Sequence, residues 1–169
     1  DRFGRTPLSE AARLNFPELV KLLLAAGANP NVEDKDGRTP LSYAAENGPP
    51  KMVKMLLAAK ANPNGGKQDA PLLAAIYGKD TNSAELLLQA GANVNAKTFV
   101  DSNIPRNGSG YSDPLWLAIA MKQLPMVQLL LKFKADPDDS QTDGRPLLFN
   151  ALDKPQILTT LLDAGAKGA

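Results

Sequence analysis

Thr6-Pro7-Leu8 and Thr39-Pro40-Leu41 decide how this chain is read. Threonine is a strong helix N-cap because its hydroxyl accepts a backbone N–H that would otherwise lack a partner. Proline suits the first helical position, where it has no hydrogen bond to lose, and leucine then begins an apolar face. Each copy therefore predicts a helix start. Weaker versions recur as Ala70-Pro71-Leu72, Asp113-Pro114-Leu115 and Arg145-Pro146-Leu147, and the steps between prolines are 33, 31, 43 and 32 residues. Such a period marks an array of stacked units, each too small to bury its own apolar face.

The register persists downstream of every proline. An apolar cluster begins fifteen residues on, as Leu22-Leu23-Leu24, Met55-Leu56-Leu57, Leu86-Leu87-Leu88, Leu129-Leu130-Leu131 and Leu161-Leu162. Four residues after the proline stand Ala11, Ala44, Ala75 and Ala118, with Asn150 breaking the series. Turn-forming runs follow as Gly27-Ala28-Asn29-Pro30-Asn31, Ala61-Asn62-Pro63-Asn64, Gly91-Ala92-Asn93-Val94-Asn95, Ala135-Asp136-Pro137 and Gly165-Ala166. Together these residues resemble the ankyrin repeat family, whose units have this length and this opening. The resemblance covers nearly the whole chain, closest in the first two copies and loosest in the fifth. It implies an all-α repeat solenoid of ankyrin-type helix–turn–helix units joined by β-hairpin-like fingers. On this reading residues 1–169 are a single domain, with units at about 1–33, 34–64, 65–107 (long finger from about 96), 108–139 and 140–169.

Several local expectations follow. Helices are predicted at 7–14 and 17–26 in the first unit, 81–90 in the third, 125–134 in the fourth and 155–164 in the fifth. Glu10 stands where later copies carry Tyr43, Leu117 and Phe149, which reads as the outward charge of a capping unit. Lys60 replaces the helix-ending Gly27 of the first unit and is expected to shift the turn. Ala70 lacks a capping oxygen, Asp113 supplies one, and Arg145 with Asn150 makes the fifth unit the least stable.

Composition narrows function. Lys plus Arg is 19 and Asp plus Glu is 18, so the net charge of +1 lacks the positive surplus of a nucleic-acid binder. The chain has no Cys and no His, which removes disulfides, thiol nucleophiles, imidazole bases and nearly every zinc site. No apolar run reaches the roughly 18 residues of a membrane span. No catalytic, cofactor or metal site is expected. Gly108-Ser109-Gly110 lacks the Lys-Ser/Thr pair of a phosphate loop, and Asn107-Gly108-Ser109 is a formal glycosylation signal. Asp136, Asp138, Asp139 and Asp143 lack the glycine and closing glutamate of a calcium loop. The opening Asp1-Arg2-Phe3-Gly4 starts on a repeat and reads as a domain cut from a longer protein.

All length variation falls between a second helix and the next proline, and about ten extra residues lie within 96–113. The helices are constrained and the fingers are not, which points to recognition by the fingers, the alternative for the inserted segment being a tolerated flexible loop. The resemblance implies a concave docking side built from finger tips and first-helix faces. It would carry Arg2, Phe3, Arg5, Lys35, Asp36, Arg38, Lys67 and Asp69 from the fingers, and Arg13, Leu14, Glu46, Asn47, Tyr77, Ala120 and Met121 from the helices. The long finger adds Ile104, Arg106 and Tyr111 as binding candidates, whereas Phe99 and Trp116 are expected to fold back onto the repeats. The function so implied is a protein–protein interaction scaffold, monomeric as an isolated domain, with a protein or peptide partner, no nucleic acid and no membrane insertion. A cytoplasmic or nuclear location accompanies it. Alternatives are a regulatory or targeting segment of a larger enzyme or receptor, and a methyl-lysine reader caged by Tyr77, Tyr111 and Trp116.

Overall fold

The computed structural model describes residues 2–66, 70–99, 111–138 and 146–167, with 98, 99, 111 and 112 described by backbone alone. In chain order the elements are α1 (Pro7–Arg13), α2 (Pro17–Ala25), α3 (Pro40–Asn47), α4 (Pro50–Ala58), α5 (Pro71–Tyr77) and α6 (Thr81–Gln89). Then come β1 (Thr98–Phe99), β2 (Tyr111–Ser112), α7 (Pro114–Ala120), α8 (Leu124–Lys132), a 3₁₀ helix (Leu147–Ala151) and α9 (Pro155–Asp163). The fold is an all-α repeat solenoid in class, and its contacts divide into two compact units, Asp1–Asn93 and Val94–Ala169.

Side-chain capping sets the starts of α1, α3, α6 and α7. The Thr6 hydroxyl accepts from the Ser9 N–H at 3.1 Å while the Ser9 hydroxyl donates to the Thr6 carbonyl at 3.0 Å. Thr39 accepts from Ser42 N–H at 3.2 Å, and Asp113 accepts from Trp116 N–H at 2.8 Å. Ala70 leaves α5 without a side-chain cap. Asp80 caps α6 instead, accepting from the N–H groups of Asn82 and Ser83.

Helices of seven to nine residues are marginal alone because nucleation is costly, so packing holds them. In the first unit α1 packs on α2 and α3, α3 on α4 and α5, α5 on α6, and α4 lies between α2 and α6. Leu8, Leu41, Met52, Leu56, Leu73, Ile76 and Leu87 are fully buried there. Each such side chain contributes on the order of 1.5–3 kcal/mol. In the second unit α7 packs on α8 and the 3₁₀ helix, α9 packs on both of these, and Leu115, Leu117, Met126, Leu130 and Leu161 are buried.

A ladder of side-chain amides runs between successive turns. Asn31 donates to the Lys60 carbonyl at 3.1 Å and accepts from the Asn62 N–H at 2.7 Å. Asn64 repeats both bonds, to the Gly91 carbonyl at 3.0 Å and from the Asn93 N–H at 2.7 Å. In the second unit Asn95 accepts from the Asp136 N–H, and Asp138, a carboxylate that cannot donate, accepts from the Lys167 N–H.

Three expectations change. Lys60 does not shift its turn: it takes φ 64, and the bonds Lys60 N–H to Leu57 and Ala61 N–H to Leu56, both 2.9 Å, match those at Gly27. The fifth unit opens with a 3₁₀ helix rather than an α-helix, and Pro146 sits outside it as the N-cap instead of at the first helical position. The first repeat is not polar across its outer side, since Phe16 ahead of α2 and Leu19 and Leu22 on it are exposed. Of the enlarged finger, only the antiparallel pairing of Thr98 with Ser112 and Phe99 with Tyr111 at its base is described.

Two backbone substitutions should act in opposite directions. A Cβ on Gly78 would meet the Glu46 carbonyl oxygen at 2.3 Å, so Gly78→Ala should cost about 1–3 kcal/mol in urea unfolding. Lys60→Gly should stabilise by roughly 1 kcal/mol in the same measurement, because it relieves a left-handed backbone conformation.

Candidate protein-binding surface

The first finger is built on an aromatic clamp. Gly4, at φ 74, turns the chain so that the guanidinium groups of Arg2 and Arg5 lie 4.7 and 4.5 Å from the Phe3 ring centroid. Phe3 nevertheless remains 40% exposed. The second finger is tied to the first: the Lys35 N–H donates to the Phe3 carbonyl at 3.0 Å, and the Lys35 ammonium donates to the Arg2 carbonyl at 2.8 Å. Arg2, Phe3, Arg5 and Lys35, distant in sequence terms by one repeat, thus form one cluster.

Asp34 organises the second finger. Its Oδ1 accepts from the N–H groups of Asp36 and Arg38, both at 3.0 Å, and its Oδ2 accepts from the Tyr43 hydroxyl at 2.7 Å. Arg38 lies 4.2 Å from the Tyr43 ring centroid and pairs with Glu46. Burial together with the bond to Asp34 pushes the Tyr43 hydroxyl up to about 12. Both Asp34 and Tyr43 are buried. Sequence reasoning missed Asp34 as a binding-surface element; the signal was its nine-residue spacing from a tyrosine on the next helix.

The first-helix face presents Leu14, 45% exposed, and Asn47, also exposed, with Glu46 and Tyr77 half-buried. Arg13 pairs with Glu10 at 2.6 Å, and Arg5 reaches the same carboxylate at 3.3 Å. These bonds hold Glu10 below its ordinary carboxylate range, Arg13 being the larger influence. Most charged candidates of this unit therefore stand in mutual pairs, while Phe3 and Leu14 are its exposed apolar ones. Met121 belongs to the second unit, half-buried with the Gln123 amide 3.5 Å from its sulfur. Lys67, Asp69, Ile104 and Arg106 lie outside the described residues, as does the Tyr111 side chain.

The family model for ankyrin repeats in three copies matches residues 8–98, and that for a single ankyrin repeat matches 112–143. The chain belongs to the ankyrin repeat family. The 3₁₀–α9 pair lies beyond the matched residues. No curated protein matches the chain. Ankyrin repeats are in general protein–protein interaction modules and typically non-catalytic scaffolds. Among the described residues no group of His, Cys, Asp or Glu could hold a metal ion, and no helix is long and apolar enough to cross a membrane. Trp116, one of the three aromatics of the methyl-lysine reading, is buried at 9% exposure, which counts against an open cage there.

The Tyr43–Asp34 bond predicts a pH dependence. A phenol whose folded value lies above its unfolded value of about 10 contributes stability that is present below pH 10 and lost towards pH 12. Thermal midpoints should fall over that window, and Tyr43→Phe should flatten the fall while costing about 1–3 kcal/mol near neutrality.

Proposed function

We propose that this ankyrin domain is an interaction scaffold that grips a protein or peptide segment across its finger tips and first-helix faces. The observation that carries the reading is that Phe3, with two guanidinium groups over its ring, and Leu14, at the C-terminal end of α1, are both exposed. Aromatic and arginine anchors supply disproportionate binding energy when desolvated. Here they are also pre-organised: Lys35 fixes the finger backbone, and the Asp34 network fixes the next finger. Little conformational freedom remains to be lost on binding, which favours affinity. Asp36, Arg38, Glu46, Asn47 and Tyr77 extend the surface, and the long finger with Ile104, Arg106 and Tyr111 is a second contact region in this reading. The recurrence of the proline-led unit at 7, 40, 71, 114 and 146 supports treating residues 1–169 as one domain.

A photo-crosslinking amino acid tests the surface directly. Placed at position 3 or 14, it should capture one partner species from cell extract, and Phe3→Ala should reduce that capture at position 14 by roughly tenfold. Placed at Lys54, on the exposed side of α4, it should capture none. Equal capture at Lys54, with none at 3 or 14, would overturn the proposal.

A further inference from the structure

Charge on the finger side of the first two repeats does not cancel completely. Aligned on their prolines, the fingers read Arg2-Phe3-Gly4-Arg5 and Lys35-Asp36-Gly37-Arg38, so a base stands at the same two places in each. The inner bases are matched. Arg5 and Arg13 share Glu10, and Arg38 pairs with Glu46. Asp34, whose carboxylate accepts from two backbone N–H groups and the Tyr43 hydroxyl, brings the acids to three against three bases. The outer bases are not matched. Among the described residues neither Arg2 nor Lys35 has an ion pair, and the nearby Asp36 pairs with neither. Arg2, Lys35 and Asp36 are all exposed, and together they leave one positive charge in excess.

The two outer cations are also held in place. The Arg2 guanidinium lies 4.7 Å from the Phe3 ring centroid, and the Lys35 ammonium donates to the Arg2 carbonyl at 2.8 Å. Both charges are thus anchored beside an exposed aromatic ring. This exposure belongs to the positions and not to their place in the array. Asp36 and Asn47, the counterparts of Phe3 and Leu14 one repeat on, are exposed as well. Like charges held near one another repel, and a bound anion relieves that repulsion.

Resting on the scaffold reading above, we infer that Arg2 and Lys35 receive one carboxylate of the partner, a glutamate or aspartate side chain close to the apolar residue that covers Phe3. Charge selects a carboxylate over a phosphate group. A single negative charge matches the single excess positive one, whereas a phosphorylated side chain brings about −1.5 to −2 and would set its surplus against Asp36. Distance sets the spacing in the partner. The 4.7 Å from guanidinium to ring is little more than the roughly 3.3–3.6 Å spanned by one extended residue, so the acidic and apolar residues are adjacent or one apart.

The test is selection of random-sequence peptides from a display library on the intact chain, followed by titration of the enriched peptides. These should carry Glu or Asp within two residues of an apolar side chain. Exchanging that acid for its amide should weaken binding by roughly fivefold, and added salt should weaken the acidic peptide more than its amide. Against Arg2→Gln with Lys35→Gln, acid and amide should bind equally, which a merely structural role for the two bases would not produce. Asp36→Asn should tighten the acidic peptide by roughly twofold, because it removes the one opposing charge. Peptides that need Phe3 and Leu14 yet are neutral or basic overturn the inference and leave the scaffold reading standing. Peptides that bind equally well to Phe3→Ala with Leu14→Ala, or a library that yields no binder, overturn both. Tighter binding when phosphoserine replaces the acid overturns the choice of carboxylate and gives the site to a phosphate.

Discussion

Burial of second-helix side chains between neighbouring pairs is the constraint on which this structure rests. A helix of nine residues such as α4 has too few hydrogen bonds to repay its own nucleation. Met52, Val53 and Leu56 are nevertheless fully buried on it, because α2 lies on one side and α6 on the other. Stability is thus a property of junctions rather than of units, as in any quasi-linear array. Close backbone approach is part of the same bargain: Gly78 stands so near the Glu46 carbonyl that no side chain fits between α3 and α5.

Apolar burial alone would leave the pairs loosely indexed, since leucine faces tolerate sliding. Directional bonds fix the register. The amide of Asn31, bonded at once to the Lys60 carbonyl and the Asn62 N–H, can be satisfied in one alignment only. Asn64 imposes the same condition one step on. Where Asp138 replaces asparagine, the donor half of the rung is lost and only the acceptor half remains. The fingers inherit this rigidity. Asp34 closes its own loop and ties it to α3 through Tyr43, so the recognition elements stand on bonded supports rather than on slack chain.

Charge on the proposed binding side is largely paired within the chain. Arg5 and Arg13 share Glu10, while Arg38 lies over Tyr43 and pairs with Glu46. Partly exposed pairs of this kind contribute little stability, but they orient the long side chains near Phe3 and Leu14. In the proposed reading a partner would meet the apolar anchors Phe3 and Leu14 within a polar rim, an arrangement suited to a protein surface.

The chain's own pattern determined the family, the helix starts at Pro7, Pro40, Pro71 and Pro114, the caps at Thr6, Thr39 and Asp113, and the location of the enlarged finger. These are legible because capping, proline geometry and apolar spacing act over a few residues. Tertiary structure alone decided the rest. Lys60 keeps its turn because backbone bonds to Leu56 and Leu57 outweigh the strain of a positive φ. The fifth unit opens as a 3₁₀ helix with Pro146 outside it, where the proline pattern alone predicts another α-helix start. Asp34 becomes the centre of a finger only when Tyr43 is folded over it, and Leu19 differs from Met52 only by what lies beside it. Local rules see neighbours in sequence; burial and cross-repeat bonding depend on neighbours in space, about a repeat length away.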